Sequence, residues 1–199
     1  MDNTVGSLSS LLINPEDTYI LGLWGADKYL RTSSVGLSNT DPILISRFAR
    51  FLLSRFSTDR IRLRIYGDCE KNFLPEIKKS FLSSFSNKKV AFHLYVNSRS
   101  LVREFIWALN NRHTMIKENL LPYIAGRFDG EGSISKGIRR YFRISYGSLE
   151  DAEKNLSLLS NYKVKMYYYK QAHTYCLYFS EKNLDSLIMG LKPYSTKLQ

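Results

Sequence analysis

Two stretches of the chain match each other position by position. Ile20-Leu-Gly-Leu-Trp-Gly-Ala-Asp27-Lys28 and Ile124-Ala-Gly-Arg-Phe-Asp-Gly-Glu131-Gly132 both carry Gly at the third position, a small residue at the seventh and a carboxylate at the eighth. Asp27 and Glu131 are 104 residues apart, about half of the 199-residue chain. A repeat at half-chain spacing restricts the fold to two similar halves. Gly22, Gly25, Ala26, Gly126 and Gly130 are small, and small residues at helical spacing let two backbones approach closely. If the two helices pair through them, their C-terminal ends meet. Asp27 and Glu131 then lie side by side at two negative dipole ends, an arrangement that a divalent cation offsets. An oxygen-only donor set suits Mg²⁺ better than zinc.

The flanking pattern repeats as well. Asp17–Ala26 is apolar and follows Asn14-Pro15-Glu16, a helix start. The stretch 29–38 suggests a hairpin punctuated by Gly36. Asp41-Pro42 opens a helix to Phe56, with Asp at the N-cap and Pro at the first helical position. Arg60–Tyr66 alternates as a strand, 72–85 reads as a helix, Val90–Val96 as a strand and Ser100–Leu109 as a helix. After the polar junction 110–119 the order restarts: a helix at Leu120–Gly130, an alternating segment at Ser133–Tyr146 turning at Gly137, and a helix at Ser148–Leu159. In that helix Ser148 and Asp151 form an acidic variant of the capping box. Strands at Lys163–Lys170 and Thr174–Ser180 and a closing helix at Glu181–Leu191 complete it. The expected class is α+β, two αββαββα halves (1–112 and 120–199, linker 113–119), with an extra segment at roughly 69–88 in the first.

Composition narrows function. Lys+Arg number 29 against 18 Asp+Glu, a formal charge of +11 spread along short alternating segments, which favours nucleic acid over a membrane surface. With 44% hydrophobic residues the chain has the apolar mass for a core. No apolar run is long enough to cross a membrane and no secretory signal pattern opens the chain, so a cytoplasmic location is expected. Cys69 and Cys176 are isolated and read as reduced thiols. No P-loop, GxGxxG or GxSxG is present. His93, His113 and His173 show no metal spacing and read as structural, with His93 alternating outward beside Tyr95.

On the two matching segments the sequence resembles the LAGLIDADG homing endonucleases, specifically the monomeric kind with two motifs in one chain. The resemblance implies paired motif helices at the interface of two pseudo-symmetric halves and two antiparallel sheets forming a DNA-binding saddle. It implies site-specific double-strand cleavage with Mg²⁺ (Mn²⁺ or Ca²⁺ substituting for binding), across the minor groove, leaving short 3′ overhangs and promoting intron mobility. The eighth-position acids, Asp27 and Glu131, would be catalytic and metal-holding, with the backbone carbonyls of Ala26 and Gly130 as extra ligands. The partner would be duplex DNA of roughly two helical turns. Intron-RNA maturase activity and non-cleaving DNA binding are the alternatives on the same scaffold.

Some positions depart from the pattern. Lys28 replaces the usual ninth-position Gly; it either neutralises Asp27 or touches phosphate. Arg127 stands at a usually aliphatic position, with Asp129 as its one apparent ion-pair partner. Asn39 and Thr40 fall where the family has Gln and Lys, so the charge at the phosphate must come from elsewhere, with Lys192, Lys197, Arg112 and Lys117 as candidates. For the sheets, alternation puts Arg60, Arg62 and Arg64 on one strand face and Ile61, Leu63 and Ile65 on the other. Arg31 and Ser33, then Arg139, Tyr141 and Arg143, then Lys163, Lys165, Tyr167 and Tyr169 are the comparable outward positions. These side chains serve either base readout or phosphate positioning.

Overall fold

Helix α1 (Pro15–Ala26) begins with a reciprocal cap. Asp17 N donates to Asn14 Oδ1 at 2.8 Å, and Asn14 Nδ2 donates to Asp17 Oδ2 at 2.9 Å. Pro15 occupies the first turn, where its missing N–H costs nothing. Every residue from Asp17 to Gly25 is buried, so α1 is a central rod without a solvent face. The computed structural model describes residues 14–26, 33–67, 74, 76–82, 90–135, 140–181 and 184–199.

These residues group into two compact units. One contains β1 (Ser34–Asn39), α2 (Pro42–Leu53), β2 (Ile61–Tyr66), β3 (Lys78–Leu82), β4 (Ala91–Asn97) and α3 (Arg99–Asn110). The other contains α1 together with α4 (Arg112–Met115), α5 (Leu120–Glu131), β5 (Gly132–Ser135), β6 (Tyr141–Tyr146), α6 (Leu149–Leu158), β7 (Val164–Tyr169), β8 (Thr174–Phe179) and α7 (Leu184–Leu191). The first motif helix thus packs with the second half of the chain. No helix among the described residues is long and apolar enough to cross a membrane.

The first sheet has the order β1-β4-β2-β3, with β2 antiparallel to β4 and parallel to β3. Its inner face, Val35, Leu37, Ile61, Leu63, Ile65, Phe92, Leu94 and Val96, is buried under α2 and α3. Asp41 caps α2 by accepting from Ile43 N at 2.8 Å. The second sheet, β5-β6-β8-β7, is antiparallel throughout. Its inner residues Phe142, Ile144, Leu177 and Phe179 are buried, with Phe128 of α5 stacked on Phe142 at 4.3 Å.

Two expectations are corrected here. Residues 78–82 are a strand where a helix over 72–85 was expected. The apolar spacing of Ile77, Phe81, Leu82 and Phe85 fits a helix, but the open edge of β2 takes the segment up in parallel register, Arg62 opposite Lys78. Gly36 is mid-strand, not a turn. It lies opposite Tyr95, where an added Cβ would come within 2.8 Å of Tyr95 Cβ.

Candidate active site and nucleic-acid faces

The two motif helices touch backbone to backbone. A Cβ on Gly22 would sit 2.2 Å from the Tyr123 carbonyl oxygen, and one on Gly126 would sit 2.0 Å from that of Tyr19. The contact is reciprocal, and its register is the 104-residue offset of the two motifs. One turn further on, a Cβ on Gly130 would lie 2.4 Å from Ala26 Cβ. The C-terminal ends of α1 and α5 are therefore in direct contact. Gly25 is also buried on α1. Glu131 is the exposed last residue of α5. Asp27, the residue bonded to Ala26, lies outside the described residues, as do Lys28, Arg31 and Arg139.

A strap of three residues fastens the end of α5. The buried Asp129 carboxylate accepts from Tyr19 OH (2.7 Å), Ser195 Oγ (2.5 Å), Thr196 N (2.7 Å) and Thr196 Oγ1 (2.6 Å). With those oxygens taken, Asp129 is no partner for Arg127. The next residue, Lys197, donates from Nζ to the carbonyls of Phe128 and Gly132, both at 3.3 Å, and lies over the Phe128 ring. The last turn of α5 thus already holds a cation against carbonyl oxygens at its negative dipole end. Glu131 and carbonyls in the last turns of α1 and α5, those of Ala26 and Gly130, are oxygen donors, the type that a hard divalent ion such as Mg²⁺ takes. The described residues contain no cluster of three His, Cys, Asp or Glu side chains.

Beneath α5 lies a second buried cluster. Arg127 pairs with Asp151 at 3.2 Å, Arg112 with the same carboxylate at 2.7 Å, and the Arg127 guanidinium stacks 4.4 Å over Tyr146. Burial opposes the Arg127 charge, yet Tyr146, Tyr123 and Asp151 together hold its pKa above the ordinary value. Two expectations change. The partner of Arg127 is Asp151 and not Asp129, and Ser148 caps α6 by accepting from Asp151 N at 3.3 Å. Arg112 is buried and committed, so it is removed from the phosphate-binding candidates. Lys192 is exposed just after α7, and Lys117 lies at the opposite end of α5 from Glu131. Asn39 Oδ1 accepts from Asp41 N at 2.9 Å and so shapes the entry to α2.

The outward sheet faces follow the alternation. On the first sheet Arg62, Arg64 and Lys78 are outward, with Arg62 opposite both Lys78 and Tyr95. Arg64 stacks 5.1 Å over Tyr95, and Arg62 bonds back to the carbonyls of Asp59 and Ile61. Arg60 precedes the strand and lies over Phe56, its Nη2 donating to the Asn97 carbonyl at 3.4 Å. Ser33 is exposed, one residue before β1. His93 shares a 2.6 Å hydrogen bond with Ser38 and stacks on Tyr95. Burial, then Arg64, holds its pKa below the usual 6.5.

On the second sheet Tyr141, Arg143, Lys165, Tyr167 and Tyr169 are outward, and Lys163 immediately precedes β7. Arg143 donates to Ser133 Oγ (2.7 Å) and Tyr178 OH (3.1 Å). The Tyr178 bond holds the Arg143 pKa above its ordinary value. Sequence reasoning missed Tyr178 as a surface group, although the same alternation marks it.

No family model and no curated protein sequence matches the chain. Solved structures do. The homing endonuclease I-DmoI in complex with DNA and Mn aligns with a TM-score of 0.62 at 17% identity, covering 92% of this chain and 97% of that one. This chain has the double-motif LAGLIDADG fold. Two further structures of that fold align: the homing endonuclease I-WcaI bound to its DNA recognition sequence (TM-score 0.58, 13% identity, 91% of this chain and 81% of that one) and the N-terminal LAGLIDADG domain of DUF199/WhiA (0.54, 13%, 92% and 87%). In the LAGLIDADG fold seen here, α1 and α5 are the motif helices.

Proposed function

We propose that the protein is a site-specific, metal-dependent DNA endonuclease that hydrolyses one phosphodiester in each strand of a duplex. The observation that carries this reading is the contact of Ala26 with Gly130, each followed directly in the chain by an acid. Asp27 and Glu131 would hold the divalent ions, joined by the carbonyls of Ala26 and Gly130. When bound, the metal supplies charge stabilisation for the phosphate and lowers the pKa of a water. The chain's own residues do the rest. Arg62, Arg64 and Lys78 on one sheet, and Lys163 and Lys165 on the other, neutralise backbone phosphates. Lys197 keeps a positive charge at the end of α5 beside Glu131, and Lys192 is a further cation of the same unit. Lys28, Arg31 and Arg139 are further DNA contacts proposed from the sequence alone, and Asn39 holds the first-sheet loop that precedes α2.

The finer reading follows from the resemblance: a monomer cutting across the minor groove, with short 3′ overhangs, at a target of about two helical turns in the service of intron mobility. Incubation of the protein with a randomised duplex library and Mg²⁺, followed by sequencing of the cut ends, tests it. Asp27→Asn and Glu131→Gln are expected to bind the selected duplex as wild type does in Ca²⁺ and to lose double-strand cutting in Mg²⁺. Full cutting by either variant would overturn the metal role.

A further inference from the structure

The two sheets carry different chemistry on their outer faces. The first presents cations, Arg62, Arg64 and Lys78. The second sets rings beside Arg143 and Lys165: Tyr141 on β6, Tyr178 on β8, and Tyr167 and Tyr169 on the edge strand β7. Tyr167 is 49% and Tyr169 42% exposed. Tyr141 and Tyr167 meet the Tyr178 ring edge-on at centroid distances of 5.7 and 5.5 Å. The Tyr169 hydroxyl bonds that of Tyr178 at 2.6 Å. Tyr178 is thus fixed from several sides, and the rings around it wall a groove of about 810 Å³ bordered by Lys163 and Lys165.

We propose that this groove is a stacking site for unpaired nucleobases, so that the protein binds a single nucleic-acid strand there. An intact duplex covers the faces of its bases and shows only their edges. An array of exposed phenol rings has little to stack on in such a partner. An unstacked base offers a π-face, and rings standing on neighbouring strands of a four-stranded antiparallel sheet are a known way to take it. The two lysines match the charge of the phosphates that such a strand carries. The site lies within one unit and uses none of the carboxylates assigned to cutting, so it stands whether or not the cutting reaction does.

The test uses the whole protein in EDTA and labelled twelve-nucleotide probes: oligothymidylate, oligouridylate and a duplex of the same length. Fluorescence anisotropy reads the dissociation constants at matched, moderately high salt. At least one single strand is expected to bind more tightly than the duplex. Tyr167→Leu/Tyr169→Leu, which keeps apolar bulk and removes the rings, should weaken that binding by about tenfold or more. Lys154→Ala, which removes one exposed cation from α6 in the same unit, should leave it unchanged. Preference for one of the two strands is assigned to the sugar or to the thymine methyl with oligodeoxyuridylate of the same length. Equal affinity for strand and duplex, or an unchanged constant in the double variant, overturns the proposal. If the double variant does not fold, Tyr167→Leu alone is read the same way. Cutting is assayed separately in Mg²⁺, so its failure leaves these constants untouched.

Discussion

The sharpest test of the helix pairing is Gly126→Ala. The added methyl would sit 2.0 Å from the Tyr19 carbonyl oxygen and 2.7 Å from Leu23 N. The first distance is about 1 Å short of anything a real Cβ tolerates. Both obstacles are backbone atoms of α1, so no side chain can rotate away. The helices must separate along their length, which loosens Gly22 against Tyr123 and Gly130 against Ala26 together. Overpacking of a tight core costs roughly 1–3 kcal/mol and occasionally more, and rigid backbone obstacles put this site at the upper end. Alanine returns about 0.5–1 kcal/mol through its better helix propensity. The net expectation is a loss of about 2 kcal/mol, a fall in Tm of roughly 4–8 °C for a chain of this size. Gly147→Ala is the control, because nothing lies within 4 Å of its Cβ position. Thermal unfolding and urea titration of both variants read the difference. A Gly126→Ala protein within about 0.5 kcal/mol of wild type would refute the close contact.

Three further outcomes are expected. Asp151→Ala strands the Arg112 and Arg127 guanidiniums in the interior and should cost about 3–5 kcal/mol, read from urea midpoints; a wild-type midpoint would show that the cluster is not charge-coupled. Asp129→Ala removes the acceptor shared by Tyr19, Ser195 and Thr196 and should cost about 2–3 kcal/mol in the same assay, with faster proteolysis after residue 191; an unchanged cleavage rate would refute the strap. The folded-state pKa of His93 is below that of the unfolded chain, so the unfolded chain binds the proton first as pH falls. Stability is therefore flat above about pH 6.5 and declines below it toward the depressed value, and His93→Asn should reduce that decline.

What was legible in the chain was local. Asp41-Pro42 announces α2, the alternation of Ile61, Leu63 and Ile65 with arginines announces β2, and the motif offset gives the register in which Gly22 meets Tyr123 and Gly126 meets Tyr19. What escaped depends on partners far along the chain. The segment 78–82 has helical spacing and becomes a strand only because β2 offers an edge. Arg127 has the carboxylates of Asp129 and Glu131 nearby in sequence, yet its partner is Asp151, brought under α5 by the packing of α6. Asp129 reads as a partner for Arg127 until Ser195 and Thr196 arrive to bond it. Gly36 reads as a turn signal, and only its neighbour Tyr95 explains why a side chain is absent there.

The chain order of the motif helices sets a problem for synthesis. Helix α1 is buried from Asp17 to Gly25, and its partner α5 ends at Glu131. At ribosomal speeds of about 5–20 residues per second, roughly 5 to 20 s pass between the emergence of one rod and of the other. Throughout that interval the nascent polypeptide carries an apolar helix whose reciprocal partner, α5, is not yet made. Chaperone binding to that stretch during synthesis is the expected consequence of setting the two rods 104 residues apart.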